Sequence, residues 1–373
     1  MLSLSTLGDP MTHTNKSPTT IGIDLAKNIF HFHALDKQGN TLWAKTMRPQ
    51  NAIIFLEAYE PCIIGIEACG GSHYWHRTFT SLGHEVRMIT PQRAKAFREG
   101  QKNDKNDAEA IAHAVMNQQT RLVAPKSPRQ QEVSSVNAMR NLQIRQRTQT
   151  INHIRGTLSE YGISCPKGAS FFENNIEDIL QKEIKLQEES KKKKLPHGVI
   201  QGLFAQIITL KGYRDQIKQF NQQIAALSND EDACKRLKTI PGVGEVISTQ
   251  LYGHGGNVAH YKTSSDFAAS LGLVPRQYST GGKQIYGSIS KRGNIAIRAN
   301  MIHGARSVLS AANKKRKPGE SSGNVLIDWG LQCYDRMGMN RASVAVANKM
   351  ARISWKILKT PDEVFLSSMS QAA

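Results

Sequence analysis

Four carboxylates stand in contexts suited to metal-dependent chemistry. Asp24 follows Gly22-Ile23, Glu67 follows Gly65-Ile66, and Asp104 and Asp107 are three apart in Lys102-Asn103-Asp104-Lys105-Asn106-Asp107. The spacing of three puts the two aspartates on one face of a helix. Four such charges gathered in one pocket repel one another and stay ionised only around cations. Hard oxygen donors suit Mg²⁺, and Mn²⁺ equally. Two such ions about 3.5–4 Å apart activate a nucleophile and stabilise a leaving oxygen in phosphoryl transfer. Each residue alone reads as an ordinary strand-end or helix-surface carboxylate, and only the joint pattern points to chemistry. Lys102, Asn103 and Lys105 either supply positive charge beside the metals or form a solvated helix face. His31 and His33, and His73 and His76, read as packing or surface residues, because neither pair has a partner at zinc-ligand spacing.

A second constellation lies downstream. It runs Leu271-Gly272-Leu273-Val274-Pro275-Arg276-Gln277-Tyr278-Ser279-Thr280-Gly281-Gly282-Lys283, then Gly287-Ser288-Ile289-Ser290-Lys291-Arg292-Gly293-Asn294. Gly-Gly beside two hydroxyls lets a backbone approach a phosphate closely. Lys283, Lys291, Arg292 and Arg298 supply cations that could stabilise a pentavalent phosphorane or hold a nucleic-acid strand. A serine here could act as a nucleophile and form a phosphoserine link to DNA; the plain alternative is a turn. Upstream, Thr239-Ile240-Pro241-Gly242-Val243-Gly244-Glu245-Val246 reads as a helix-hairpin-helix turn. Gly242 and Gly244 would present backbone N–H groups to a phosphate without reading sequence. The other reading is a simple helix–helix turn with a C-capping glycine.

The elements that must position these groups are legible in outline. Residues 19–26, 29–36 and 41–48 read as three strands of an antiparallel meander, the last two joined by Lys37-Gln38-Gly39-Asn40. A helix over 50–59, a strand over 62–68, a helix over 73–82 and a strand over 85–90 follow. Pro91 opens another helix, and a last one runs from Asn103 to about Gln118. Three meander strands and then strands alternating with helices is the order of a ribonuclease-H-like fold, in which the first and fourth strands are neighbours. From Ser127 to about Leu227 the pattern is helical. Leu210, Tyr213, Ile217, Phe220, Ile224 and Leu227 form a heptad seam, and Ile151, Ile154, Leu158 and Tyr161 repeat the spacing. Two long helices in an intramolecular or intermolecular coiled coil are expected, separated by a break from Cys165-Pro166-Lys167-Gly168 to Lys191–Lys194 and Pro196. Residues 233–373 are a Gly-rich, basic region with a charged run at Lys314-Lys315-Arg316-Lys317 and a closing apolar helix over 342–356. The domains expected are a disordered leader (1–18), the α/β domain (19–126), the coiled-coil segment (127–232) and a mainly α C-terminal domain (233–373).

The 373 residues include 49 Lys+Arg against 30 Asp+Glu, a net charge of +19. That surplus predicts a polyanionic partner, most often nucleic acid, or else a generally basic protein with none. No stretch approaches the ~20 apolar residues of a membrane span, and the N-terminus lacks the basic and apolar regions of a signal peptide. Five dispersed cysteines argue against a disulfide framework and against a cysteine-built zinc site, and fit a reducing, cytoplasmic setting.

Gly22-Ile23-Asp24-Leu25-Ala26-Lys27, Gly65-Ile66-Glu67-Ala68-Cys69-Gly70 and Lys102-Asn103-Asp104-Lys105-Asn106-Asp107-Ala108 resemble the DEDD motif of the insertion-sequence 110/1111 transposases, shared with Piv-type DNA invertases. The run 271–283, with Ile289-Ser290-Lys291-Arg292-Gly293-Asn294 and Ile302-His303-Gly304-Ala305-Arg306, resembles the C-terminal transposase domain of that family. The resemblance covers about residues 20–357, in the family's order.

The resemblance implies an N-terminal domain like that of the Holliday-junction resolvase RuvC and a site-specific recombinase that moves its own element. It implies a structured non-coding bridge RNA that pairs with donor and target double-stranded DNA. It further implies dimers assembling to tetramers, with a composite site joining the DEDD pocket of one subunit to a serine of another, in a bacterial cytoplasm on the nucleoid. Carried across, Asp24, Glu67, Asp104 and Asp107 are Mg²⁺ ligands and Ser279 is the nucleophile. Many relatives carry the serine immediately before the glycine, where Thr280 stands here, so Ser279 and Thr280 both remain open, with Ser288 and Ser290 behind them. The competing readings are a junction-resolvase-like nuclease that cleaves with water and forms no covalent intermediate, and a non-catalytic nucleic-acid-binding protein.

Overall fold

The alternation Ile21-Gly22-Ile23-Asp24 divides the first strand between two faces of a sheet, and the rest of the N-terminal unit is built around that division. The structure is a computed structural model that describes residues 17–98, 103–165, 167–190, 195–255, 258–317 and 320–366. Most of the expected leader, together with Lys102 and Lys191–Lys194, lies outside the described residues. The chain forms two compact units divided between Lys126 and Ser127.

In the first unit, β1 (Thr20–Leu25), β2 (Phe30–Leu35) and β3 (Thr41–Met47) form the meander; α1 (Pro49–Glu57), β4 (Ile63–Glu67), α2 (Ser72–Ser81), β5 (Glu85–Ile89), α3 (Pro91–Ala96), α4 (Asp104–Met116) and β6 (Leu122–Val123) follow. The six-stranded sheet has the order β3-β2-β1-β4-β5-β6. β4 lies parallel to β1, with Gly22 opposite Gly65 and Ile23 opposite Ile66. This is the strand order expected of a ribonuclease-H-like unit. Ile21, Ile23, Ile64 and Ile66 are fully buried with Phe30, Phe32, Leu56 and Phe79, in the core that includes α1 and α2. The opposite face carries Gly22 and Gly65 under α4, whose Ile111, Ala114 and Val115 are buried there. The two-residue β6 was not expected; it pairs with β5 at only two positions, too short a run for a pattern of alternation.

The second unit begins with α5 (Pro128–Glu160), capped by the reciprocal Ser127–Gln130 bonds with Pro128 in the first turn. Next come α6 (Ala169–Ser190), α7 (His197–Asp230), α8 (Asp232–Leu237), α9 (Glu245–Gly255), a 3₁₀ turn at Val258–His260 and α10 (Ser264–Ser270). The hairpin β7 (Pro275–Thr280) and β8 (Lys283–Ile289) precedes α11 (Ile295–Lys315) and α12 (Val325–Lys359). α5 and α7 pair antiparallel: Arg129 bonds Glu231, Arg140 bonds Asn221 and His153 bonds Gln206. The expected break between two long helices is therefore a correction. It holds α6, whose Phe172, Ile176 and Leu180 bury against Ile154, Leu158, Leu203 and Ile207 at the far end of the pair. The heptad seam is buried only at its ends, at Leu210, Ile224 and Leu227, while Tyr213, Ile217 and Phe220 stay half-buried. The α5–α7 pair and the C-terminal helices together form one compact unit, Ser127–Ala373. The closing helix begins earlier than residue 342 and kinks at Gly338 (φ 78°).

Candidate active site and nucleic-acid interface

α4 reaches the sheet because two glycines let it. A Cβ at Gly22 would overlap the Ala108 carbonyl oxygen and approach Ala112 N to 2.5 Å; one at Gly65 would lie 2.6 Å from Val115 Cγ2. With nothing standing on the strands, the helix lies flat over them. Side chains alternate along a strand, so Asp24 lies on the same face as Gly22, and Glu67 on the same face as Gly65, each at the C-terminal end of its strand. The N-terminal turn of α4 carries Asp104 and Asp107, and Asn103 caps it by accepting the Asn106 N–H.

Direct contacts give the run of α4 along the sheet. His31 pairs with Asp24 across the β1–β2 ladder, and its Nε2 lies 3.5 Å from Asp104 Oδ2. His33 pairs with Gly22, accepts or donates a 3.0 Å bond at Thr41 Oγ1 and lies 4.0 Å from Glu109. Burial lowers the His33 pKa, against the raising influence of Glu109. Moving from Gly22 to Asp24 thus parallels moving from Glu109 to Asp104. Asp107 is held by Arg98, whose Nη1 donates to Oδ1 at 2.7 Å, with both side chains largely buried. The Cys69 thiol pKa is pushed up by desolvation first, and then by the Glu67 and Asp24 carboxylates.

The four carboxylates therefore share one face at one end of the sheet, but they do not converge. Among the described residues no group of three or more His, Cys, Asp or Glu side chains is gathered closely enough to hold an ion. The donor chemistry nevertheless fits a hard divalent cation, and Arg98 shows that this acidic edge already holds one positive group. Read from the sequence as a packing or surface residue, His31 instead lies against Asp104, and Arg98 is not singled out there at all. The register of His31 against Asp24 could have singled it out, whereas Arg98 is brought to Asp107 only by the fold.

In the second unit Ser279 lies on an exposed β-ribbon. β7 and β8 pair Gln277 with Tyr286, Tyr278 with Ile285, Ser279 with Gln284 and Thr280 with Lys283. Gly281 and Gly282, at φ 56° and 78°, form the two-residue turn. Ser279 and Thr280 consequently lie on opposite faces. Ser279 Oγ accepts a 2.8 Å bond from Gln277 Nε2, and Tyr286 donates to Gln284 Oε1 at 2.8 Å on the same face. Lys283 is exposed beside the turn, and Ser288 is exposed further along β8.

Lys291 and Arg292 project outward from the next loop, while Arg298 is turned inward. It is 8 % exposed, and its Nη1 donates to the carbonyls of Leu271 and Arg292 at 3.0 and 3.2 Å. Its guanidinium is spent on holding the loop, which corrects the expectation of a direct phosphate contact. Gly242 packs its backbone against Gly304, where a Cβ would lie 2.8 Å from the Gly304 carbonyl oxygen. Gly244 is exposed just before α9. In the basic run, Arg316 pairs with Asp335 at 2.8 Å and Lys317 with Glu320 at 3.6 Å, so half of its charge is already partnered.

A sheet of this order, with acidic strand ends under a helix bearing two more aspartates, is the ground plan of enzymes that transfer phosphoryl groups in nucleic acids. A family model described as "Transposase" matches residues 21–163, and one described as "Transposase IS116/IS110/IS902 family" matches residues 234–318. The chain is 34% identical over 340 residues to the transposase for insertion sequence element IS1111A of Coxiella burnetii, covering 91% of this chain and 89% of that one. It is 35% identical over 348 residues to the transposase for insertion sequence element IS1328 of Yersinia enterocolitica, covering 93% and 98%. With a probable family 20 transposase of Pseudomonas aeruginosa it shares 34% over 340 residues, covering 91% and 96%. The chain belongs to the IS110 family of DEDD transposases, enzymes that cut and rejoin DNA. Among the described residues no helix is long and apolar enough to cross a membrane.

Proposed function

We propose that this transposase is an RNA-guided, site-specific recombinase that mobilises its own insertion sequence through a serine nucleophile and a carboxylate-held Mg²⁺ site. The observation that carries the reading is the seating of α4 on Gly22 and Gly65, which brings Asp104 and Asp107 to the sheet end that bears Asp24 and Glu67. These four residues would hold the metal, with Mn²⁺ an adequate substitute. A divalent ion bound there would supply positive charge for the scissile phosphate and lower the cost of a deprotonated nucleophile.

Ser279 is the nucleophile in this reading. Its hydroxyl oxygen attacks phosphorus and gives up its proton, and the 3′ or 5′ oxygen of the cut strand leaves and takes up a proton as a hydroxyl. The strand stays linked to the enzyme through the other oxygen until the reverse step rejoins it. Gln277, donating to Ser279 Oγ, fixes the rotamer from which the attack starts. Thr280 occupies the opposite face beside Lys283, so the two hydroxyls cannot both serve one phosphate presented to one face. Lys283, Lys291 and Arg292 grip the backbone, Arg298 holds the loop that presents Lys291 and Arg292, and the exposed backbone at Gly244 offers a further phosphate contact. The guide RNA, the dimer-to-tetramer assembly and a place on the nucleoid rest on the family resemblance and on the +19 charge.

The test is sequencing of RNA that co-purifies with the protein from cells carrying its native element. One structured species from the element's flank supports guided recombination. Recovery of bulk cellular RNA alone removes the guide from the mechanism and leaves a metal-dependent nuclease as the reading to pursue.

A further inference from the structure

The β7–β8 ribbon is exposed along almost its whole length, including three large apolar or aromatic side chains: Tyr278 at 60%, Ile285 at 59% and Tyr286 at 59%. An isolated two-stranded hairpin is marginal in water, and side chains of this size normally find cover. Tyr278 and Ile285 stand directly opposite each other, so they form one continuous apolar patch on the face away from Ser279. Thr280 and Lys283 extend that same face to the turn.

Charge identifies what can cover the patch. Between Asp266 and Glu320 the chain has 53 residues with ten Lys or Arg and no Asp or Glu. Lys283 sits on the patch face, Arg276 is exposed at its base, and Lys291 and Arg292 are exposed in the loop that follows. A second copy would bring like charges together, and an apolar protein surface would leave these cations without counter-charges. A polyanion with flat apolar faces meets both requirements, and DNA is one. A two-stranded ribbon also has the width to enter the major groove.

We propose that Tyr278 and Ile285 form a stacking wedge for an unstacked DNA base. The ribbon enters the duplex beside the cleaved phosphate, the wedge receives a base on one face, and Ser279 meets the backbone on the other. Lys283 neutralises the adjacent phosphate. Aromatic stacking of this kind tolerates any base, because every base has a π-face, so the wedge would hold DNA open without choosing its sequence. This inference rests on the reading of the Ser279 ribbon as the part of the protein that faces DNA.

The experiment uses the full-length protein and a single-stranded DNA probe of about 20 nucleotides carrying 5-iodo-deoxyuridine, which crosslinks on irradiation to an aromatic ring stacked upon it. The wild type should crosslink at Tyr278. Tyr278→Ala should weaken binding of the same unmodified strand about tenfold, and Tyr278→Phe should keep it within about twofold. Because the crosslink is read on the wild type, the outcome does not depend on the folding of a variant.

Binding with crosslinks only outside the ribbon overturns the wedge and leaves the proposed recombinase standing. Failure to bind DNA at any salt concentration overturns both. A change in oligomeric state on Tyr278→Ala, with DNA affinity unaltered, assigns the patch to a second copy and overturns the wedge.

Discussion

Arg98 closes on Asp107 with a 2.7 Å bond inside the acidic end of the sheet. The guanidinium sits on the carboxylate that, in the proposed metal site, would meet the ion. Removing this competing charge should strengthen binding of a divalent cation at the site. Arg98→Gln is therefore expected to lower the Mg²⁺ concentration for half-maximal strand cleavage several-fold. An unchanged Mg²⁺ titration would show that Asp107 takes no part in holding the ion.

The close approach of α4 sets up a contrast between two glycines. Gly22 faces helix backbone, which cannot yield, whereas Gly65 faces the ends of the Val115 and Ile111 side chains. Gly22→Ala should destabilise the protein by about 3 kcal/mol or more, and Gly65→Ala by roughly 1–3 kcal/mol. Chemical denaturation of the two variants measures the difference. Equal losses would mean that the helix shifts freely over the sheet.

Lys291 in the Gly-rich loop and Arg298 on α11 should behave differently. Lys291→Ala is expected to leave thermal stability near the wild type and to reduce the slope of log affinity against log salt by about one. Arg298→Met strands the Leu271 and Arg292 carbonyls and should cost roughly 1–3 kcal/mol of stability. Denaturation and DNA-binding titrations at several salt concentrations separate the two. A stable Arg298→Met protein with a reduced slope would return Arg298 to the phosphate contacts.

His73 gives the first unit a pH dependence. Its Nδ1 accepts the Lys126 N–H at 3.2 Å, and desolvation, then the charges of Lys126 and Arg77, lower its pKa from 6.5 to about 4. Between those values the unfolded chain binds a proton that the folded chain refuses. Stability from this group is complete above about pH 6.5 and falls as the pH drops toward about 4. Denaturation midpoints measured from about pH 7 to about pH 4 should decline, and His73→Gln should flatten the decline. A variant as pH-sensitive as the wild type would remove His73 from the effect.

The parts of this molecule that follow local patterning are legible in the sequence. Ile21 and Ile23 alternating with Gly22 and Asp24 state which side of the strand is core, and Asn103 marks the start of the helix that carries Asp104 and Asp107. α6 is hidden because Pro166 and the lysine run near 191 both read as breaks, although Phe172, Ile176 and Leu180 recur every four residues. The β7–β8 ribbon is legible only as a turn at Gly281-Gly282, because exposed strands carry no buried face to impose an alternation. The roles of Arg98 and Arg298 lie beyond a reading of composition. Each is a basic residue in a basic neighbourhood, and only packing shows that one is used on a carboxylate and the other on two carbonyls.

The most direct test of the serine mechanism is a denaturing gel of cleavage reactions with end-labelled element DNA, the co-purified RNA and Mg²⁺. The wild type should yield a covalent protein–DNA adduct whose peptide maps to Ser279. Ser279→Ala should form none, and Asp24→Asn should reduce its yield by about a hundredfold or more while retaining DNA binding. Cleaved DNA with free ends and no attached protein, or an adduct of undiminished yield from Ser279→Ala, would contradict the mechanism.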